Sequence, residues 1–416
     1  MGLLSAEYGI TFLMSVSTVM VMVALPYLAI DWFKAGPALL GLLGGVSSIC
    51  YVGTCFLSGP LLRTFGQKGL MVSGVLGCLV VAVTLGSAPG VWYLLLMSAL
   101  TGFGTALFWP ALETRIGAGV GPAELRHRMG WFNLSWSSAD VLGTLAGGGF
   151  YTLAHYLVQY TGHRGWRPLP FYLAAVVELP VLLMLLRAPR PGPSAALTAP
   201  DRQEAAGPRN SAGNGAVLLL GVFWVMALLA NSTATAFRAV LINVFPDIGK
   251  DFFHYSGLQW GILLAMTPLV RTVMFAWWWR HRNWTYRAGY FFGLQALLPL
   301  AALMIVFGSS YGLFLVAFSL VGVGISMTYY SSIYYSLDSE TAGHGSRAGL
   351  HEAILGMGGV MGPPLAGWFA WASGNIRAPY YLIFAILGFS MATQLLLYVA
   401  RRMGLQFFRP RVPPAG

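Results

Sequence analysis

The chain has 416 residues, of which 57% are hydrophobic and only 9% charged, against about a quarter charged in an ordinary soluble domain. That balance excludes a water-soluble globular protein and puts most of the chain in lipid. The net charge of +11 does not imply a nucleic-acid partner, because the basic residues sit singly or in twos and threes between long apolar runs, with no extended basic face.

A helix needs about 20 apolar residues to cross the hydrocarbon core. The chain opens Met1-Gly2-Leu3-Leu4-Ser5-Ala6-Glu7, without the basic segment of a signal peptide, so the first apolar run reads as an uncleaved helix. Ala6 also stands where a myristoylation signal needs Ser or Thr. Six spans are expected in the first half: 8–30, 39–59, 69–85, 91–111, 129–153 and 169–186. Cys50, Cys55 and Cys78 fall within them as an odd set, which reads as buried small hydrophobes rather than a disulfide framework. Residues 187–215, rich in Pro, Ala and Gly, read as a flexible linker. Six more spans follow at 216–244, 257–279, 288–308, 312–335, 348–372 and 379–400. The organisation expected is therefore an all-α membrane protein with one six-helix bundle over 1–186, a linker over 187–215, a second bundle over 216–402 and a tail over 403–416.

Basic side chains are retained on the cytoplasmic side during insertion. Arg63, Lys68, Arg115, Arg126, Arg128, the linker arginines, Arg280, Arg282, Arg287, Arg347 and the arginines of the tail fall on one side. Lys34, Arg164, Arg167, Lys250 and Arg377 fall on the other. The asymmetry places both termini and the linker in the cytoplasm, with the cell membrane as the expected location.

An internal repeat fixes the architecture. Arg128-Met129-Gly130 around the fifth span matches Arg347-Ala348-Gly349 around the eleventh, and Gly143 and Gly148 match Gly362 and Gly367, all at an offset of 219. Gly102, Gly104 and Gly41 match Gly322, Gly324 and Gly261 at 220. A near-constant offset over several helices points to duplication. Six helices return the chain to the same side, so the halves share one orientation and relate by an axis along the membrane normal.

On these features the chain resembles the major facilitator superfamily from its first span to its twelfth. After the second span that family carries a Gly-x-Leu-x-Asp loop followed by Gly and basic residues. Here Gly59, Leu61, Gly66 and Lys68 fit, while Arg63 stands at the aspartate position. The Gly143-x-x-x-Gly147 run and Gly362-Pro363-Pro364 are similar to the family's Gly-Pro packing motif. Gly143, Gly147, Gly358 and Gly362 are candidates for close helix contact, either where the halves slide or as static packing.

An ionisable side chain at mid-bilayer is costly unless paired or facing water. Asp140 lies roughly 18 Å along the fifth helix from Arg128, and Arg271 lies roughly 13 Å along the eighth from Arg280. In the resembled fold these helices face each other, which predicts an Asp140–Arg271 ion pair, either a yielding latch or a permanent bridge. His351 and Glu352 open the eleventh span and stand as proton-coupling candidates beside a solvated helix end. Arg63, Glu113, Arg115, Arg128 and Arg347 form the expected cytoplasmic gate of weak, breakable bridges. Arg238, two turns beyond Asn231 in the seventh span, either recognises a carboxylate or phosphate or snorkels to headgroups. Glu178, in the sixth span, has no evident role.

The resemblance implies that the first, fourth, seventh and tenth helices line a cavity. Trp109, Tyr329, Tyr330 and Tyr334 are the candidates there, with Trp109 and Tyr329 at equivalent positions of the repeat, and Asn133 and Trp136 share a face with Asp140. Trp277, Trp278, Trp279 and Trp284 read as interface anchors instead. No Walker loop, His-Glu-x-x-His or Gly-x-Ser-x-Gly is present, so no cofactor, metal or hydrolytic chemistry is expected. The reading is a secondary transporter, symporter or antiporter, moving a small amphipathic organic solute by alternating access with a proton, as a monomer in lipid. A passive facilitator, a non-transporting receptor or assembly factor, and an intramembrane enzyme are the rivals.

Overall fold

In lipid every backbone N–H and C=O must be satisfied within the protein, which for a chain this apolar leaves α-helices. The computed structural model describes residues 2–117, 120, 122–188, 214–281, 283–338 and 344–403. The first half holds α1 (Gly2–Phe33), α2 (Pro37–Phe56), α3 (Ser58–Thr84), α4 (Val91–Gly117), α5 (Pro122–Thr161) and α6 (Leu169–Arg187). The second holds α7 (Asn214–Asn243), α8 (Gly257–Arg280), α9 (Ala288–Phe307, interrupted at Ala296), α10 (Tyr311–Asp338), α11 (His344–Ser373) and α12 (Ala378–Arg402). Eleven of these are long and apolar enough to cross a membrane. The twelfth, α5, runs 40 residues and is the most polar, carrying Ser135, Ser137, Ser138, Asp140 and Thr144. Most of the expected linker (189–213) and tail (404–416) lies outside the described residues, as does the Arg347 side chain.

The stretch 59–68, expected as a loop, is helical on both sides of a break at Gly66, whose φ of 68° and ψ of 163° suit only glycine. Arg63 is exposed there, with no ion-pair partner among the described residues. At the start of α8, Ser256 accepts from the Gln259 N–H while the Gln259 side chain accepts from the Ser256 N–H, a capping box that sets where the helix begins.

Twelve crossings leave both ends of the chain at one end of the bundle, termed here the terminal end; the opposite is the far end. Toward the far end the halves meet through α2 against α11 and α5 against α8, backbone to backbone. A Cβ on Gly41 would stand 2.2 Å from the Pro363 carbonyl oxygen, and one on Gly367 2.2 Å from that of Pro37. A Cβ on Gly148 would stand 2.2 Å from the Gly257 oxygen, and one on Gly261 2.6 Å from that of Thr144. Gly41 touches Gly367 as Gly148 touches Gly261, so the repeat partners exchange roles across the boundary, as a twofold relation between like-oriented halves requires. By contrast, Gly143 and Gly147 pack on Val16 and Met20 of α1, and Gly358 and Gly362 on Ser232 and Ala236 of α7. Those four are static packing inside each half.

The far end is also tied by charge. Asp31, at the end of α1, pairs with Lys250 and lies 2.6 Å from the Tyr151 hydroxyl, while Leu258 N–H donates to Thr152 Oγ1 at 2.7 Å. At the terminal end Trp279 of α8 covers Gly130 of α5 and meets the rings of His127 and Trp131.

Candidate functional site

α5 is where the polar residues of the membrane region concentrate, and a spacing of three or four puts Asn133, Trp136, Ser137, Asp140 and Thr144 along one side of it. α8 lies against that side. Arg271 donates from Nη2 to Asp140 Oδ2 at 2.7 Å and from Nε to Ser137 Oγ at 2.9 Å, and its guanidinium carbon stands 4.2 Å from the Trp136 ring centre. Its side chain is only 2% exposed. α7 brings Arg238, whose Nη2 lies 3.3 Å from the same Asp140 oxygen with the side chain 27% exposed. One carboxylate thus sits between two guanidiniums, an arrangement that leaves one positive charge in excess.

These groups border a cavity of about 330 Å³ between the halves. Thr18 and Met22 of α1, Ser47 and Tyr51 of α2, Thr101, Trp109 and Glu113 of α4, and Trp136 and Asp140 of α5 line it from the first half. Asn231 and Arg238 of α7, Arg271 of α8, Tyr329 of α10 and Glu352 of α11 line it from the second. Asn231 is fully buried, and among the described residues neither its side-chain oxygen nor its nitrogen has a partner. Toward the terminal end, Glu113 and Glu352 bring their carboxyls into hydrogen-bond contact across the halves, and the Tyr51 hydroxyl donates to Glu352 Oε2 at 2.6 Å. Only a protonated carboxyl donates, so two carboxyls at this place can bond each other only with a proton between them.

The sequence-predicted residues divide accordingly. Asp140 and Arg271 meet, and Trp109, Trp136, Asn231, Arg238 and Tyr329 reach the cavity. Asn133 lies behind it, accepting from Trp136 Nε1 at 3.0 Å. Tyr330 and Tyr334 turn instead into an aromatic cluster around Trp284, because successive helix positions are 100° apart and Tyr329 takes the inward one. Trp278 and Trp284, read as interface anchors, are 4% and 3% exposed core residues. His351 does not join Glu352: its Nδ1 lies 3.0 Å from Ser332 Oγ and its ring packs on Tyr329.

Among the described residues the expected gate set does not assemble; the Arg347 side chain lies outside them. Arg115 pairs with Glu7 at 2.7 Å, and Arg128 bonds Glu124 of its own helix and the Ile116 carbonyl. Among the described residues Glu113 faces a second carboxyl, that of Glu352, and pairs with no arginine. Glu7, Tyr51 and the Asp31–Lys250 tie were missed from the sequence. Helix arithmetic puts Glu113 and Glu352 at the same end of the bundle, which is a signal in the sequence, but several arginines lie at the same height. Glu178 is buried and accepts from Ser17 Oγ at 2.6 Å, inside the first half and away from the cavity.

A sequence profile described as the Major Facilitator Superfamily matches residues 8–348. The chain belongs to that superfamily. It is accordingly an integral membrane protein with the two-bundle fold of the superfamily. An uncharacterized MFS-type transporter of Mycobacterium tuberculosis (strain ATCC 25618 / H37Rv) is 36% identical over 131 residues. That alignment spans 30% of each chain, well short of the relative's whole length. Among solved superfamily structures, a peptide transporter in complex with sulfate gives a TM-score of 0.70 at 14% identity, covering 96% of this chain and 94% of that one. A nucleoside transporter gives 0.61 at 11%, covering 96% and 100%. The E. coli fucose:proton symporter gives 0.58 at 14%, covering 94% and 98%. At these identities the likeness is one of fold, and a superfamily fold hosts many substrates.

Proposed function

We propose that this superfamily member is a secondary transporter that carries a small organic solute together with a proton, by opening the cavity to each side in turn. The carrying observation is the Glu113–Glu352 contact, because it joins the two halves at the cavity and needs a proton to form. Loss of that proton leaves two carboxylates facing each other where the dielectric is low, and their repulsion drives the halves apart at the terminal end. Proton occupancy and the side to which the cavity opens are then one variable. The cavity volume falls at the lower end of the range of about 300–1,000 Å³ usual for small-molecule sites. Its aromatic rings with polar tips suit an amphipathic solute.

The basic bias described above supports cytoplasmic termini and linker, in the cell membrane, and the protein works as a monomer because each chain builds a whole cavity. The same division gives the domains: bundles over 1–186 and 216–402 with the linker 187–215 between them.

Reconstitution into proteoliposomes tests the proposal, after a thermal-shift screen across solute classes has supplied a ligand. An imposed proton gradient drives accumulation of the solute. Glu352→Gln keeps solute exchange but loses gradient-driven accumulation, since an amide carries no transferable proton. Transport indifferent to a collapsed gradient makes the protein a passive facilitator. A ligand that binds and never crosses makes it a receptor.

A further inference from the structure

The cavity's unused hydrogen-bonding groups and its charge identify what it takes up. Arg271 is engaged by Asp140, Ser137 and the Trp136 face. Arg238 is less engaged: among the described residues its guanidinium makes one long contact, 3.3 Å to Asp140, and its partly exposed side chain lines the cavity. Seven residues earlier on the same face of α7, Asn231 is wholly buried, with both side-chain polar atoms unpartnered among the described residues. A buried amide with no partner costs about 1–3 kcal/mol, so the site is complete only when something supplies an acceptor and a donor. Seven residues of helix rise about 10 Å, which sets the reach of an occupant touching both.

Charge decides the sign of the acid end. The charged side chains lining the cavity are Arg238, Arg271, Asp140, Glu113 and Glu352. Arg238 and Arg271 share the single carboxylate of Asp140, which leaves one positive charge in excess at that place, on the more exposed Arg238, while the two glutamates lie toward the terminal end. The titratable groups facing the glutamates are Tyr51 and Cys55 of α2 and Tyr329 of α10. No basic side chain pairs with either glutamate among the described residues. Among the described residues no carboxylate other than Asp140 pairs with Arg238, and an uncompensated charge in a water-poor cavity is expensive.

We infer that the solute is a small organic monoanion whose carboxylate or similar acid group binds Arg238, with a polar group of its body on Asn231 and an apolar part against Trp109, Trp136 and Tyr329. The inference rests on reading the cavity as the transport site, and it gives that reading an electroneutral load: one anion and one proton.

Three probes with one body and different charge separate the possibilities: phenylacetate, phenylacetamide and phenethylamine. Their binding to the purified full-length protein is measured by thermal shift and titration, for the wild type, Arg238→Gln and Arg238→Lys. Phenylacetate binds the wild type at least tenfold more tightly than the amide or the amine, Arg238→Gln removes that preference, and Arg238→Lys keeps part of it. Should Arg238→Gln fail to elute as a folded monomer, Arg238→Lys with its displaced point charge carries the comparison by a reduced preference. Equal binding of the three probes, tighter binding of the amine, indifference to both substitutions, or no binding of phenylacetate overturns the inference. Uptake of the same probes into proteoliposomes separates it from the transport reading. Phenylacetate binding through Arg238 without uptake sinks transport and leaves the anion site standing. Uptake of the amine that ignores Arg238 does the reverse.

Discussion

Asp140 is the residue on which the site's electrostatics turn, since two arginines from α7 and α8 share one of its oxygens. They are not equivalent. Arg271 is 2% exposed and Arg238 27%, so removing the carboxylate strands Arg271 as a buried cation while Arg238 keeps access to the cavity. Asp140→Asn is expected to cost about 3–5 kcal/mol of stability, the usual penalty for breaking a buried pair. Arg238→Gln should cost about 1 kcal/mol or less, in the range of an exposed pair. Unfolding of the two variants in detergent, followed by tryptophan fluorescence, checks the ordering; a smaller loss for Asp140→Asn contradicts it. Arg271→Lys is not conservative here either. An ammonium cannot bond Ser137 and Asp140 while stacking on Trp136, and the thermal midpoint of that variant should fall clearly below wild type.

At the scale of helices, the far-end seam depends on four glycines whose missing side chains let α2 meet α11 and α5 meet α8. Gly148→Val puts a branched side chain where even a Cβ would lie 2.2 Å from the Gly257 carbonyl, and backbone cannot yield as a side-chain tip can. The seam opens and the far-end-open arrangement gains population. In a background with Cys50, Cys55 and Cys78 replaced by alanine, a cysteine at Thr144, buried beneath Gly261, should react several times faster with an impermeant maleimide when Gly148→Val is present. Gly53→Val, with nothing within 4 Å of its Cβ position, leaves that rate unchanged. Equal rates in the two variants count against the seam as the far-end closure.

For the whole molecule, the two ends of the bundle are held by different chemistry. The far end is tied by Asp31 and Lys250 with Tyr151, and the terminal end, in the proposed cycle, by a proton between Glu113 and Glu352. Lys250→Gln removes a partly buried ion pair worth about 1 kcal/mol, about a fivefold shift toward the far-end-open population, read by the same Thr144→Cys reactivity. Acidity acts at the other end with a definite sign. Protonation keeps the glutamates in contact and loss of the proton separates them, so raising pH should increase distances measured by spin labels across the terminal ends of α4 and α11. Glu113→Gln with Glu352→Gln should remove that response, because amides remain hydrogen-bonded at every pH. A pH response surviving the double substitution would place the proton elsewhere.

Span number, the two like-oriented halves and the Asp140–Arg271 pair were legible in the sequence. Each rests on one-dimensional quantities: hydropathy over a membrane thickness, a constant offset between repeats, and rise per residue along a helix. The same arithmetic could not choose partners at a bundle end, where several charged residues lie at one height and helix rotation decides which of them touch. Thus Arg115 found Glu7 and Glu113 found Glu352 across 239 positions of sequence. Tyr329 and Tyr330 differ by one position in the chain and by 100° in space, and only packed helices show that one faces the cavity and the other a ring cluster. Sequence fixes depth in the membrane because depth is a sum along the chain; tertiary structure fixes azimuth because azimuth depends on what each helix packs against.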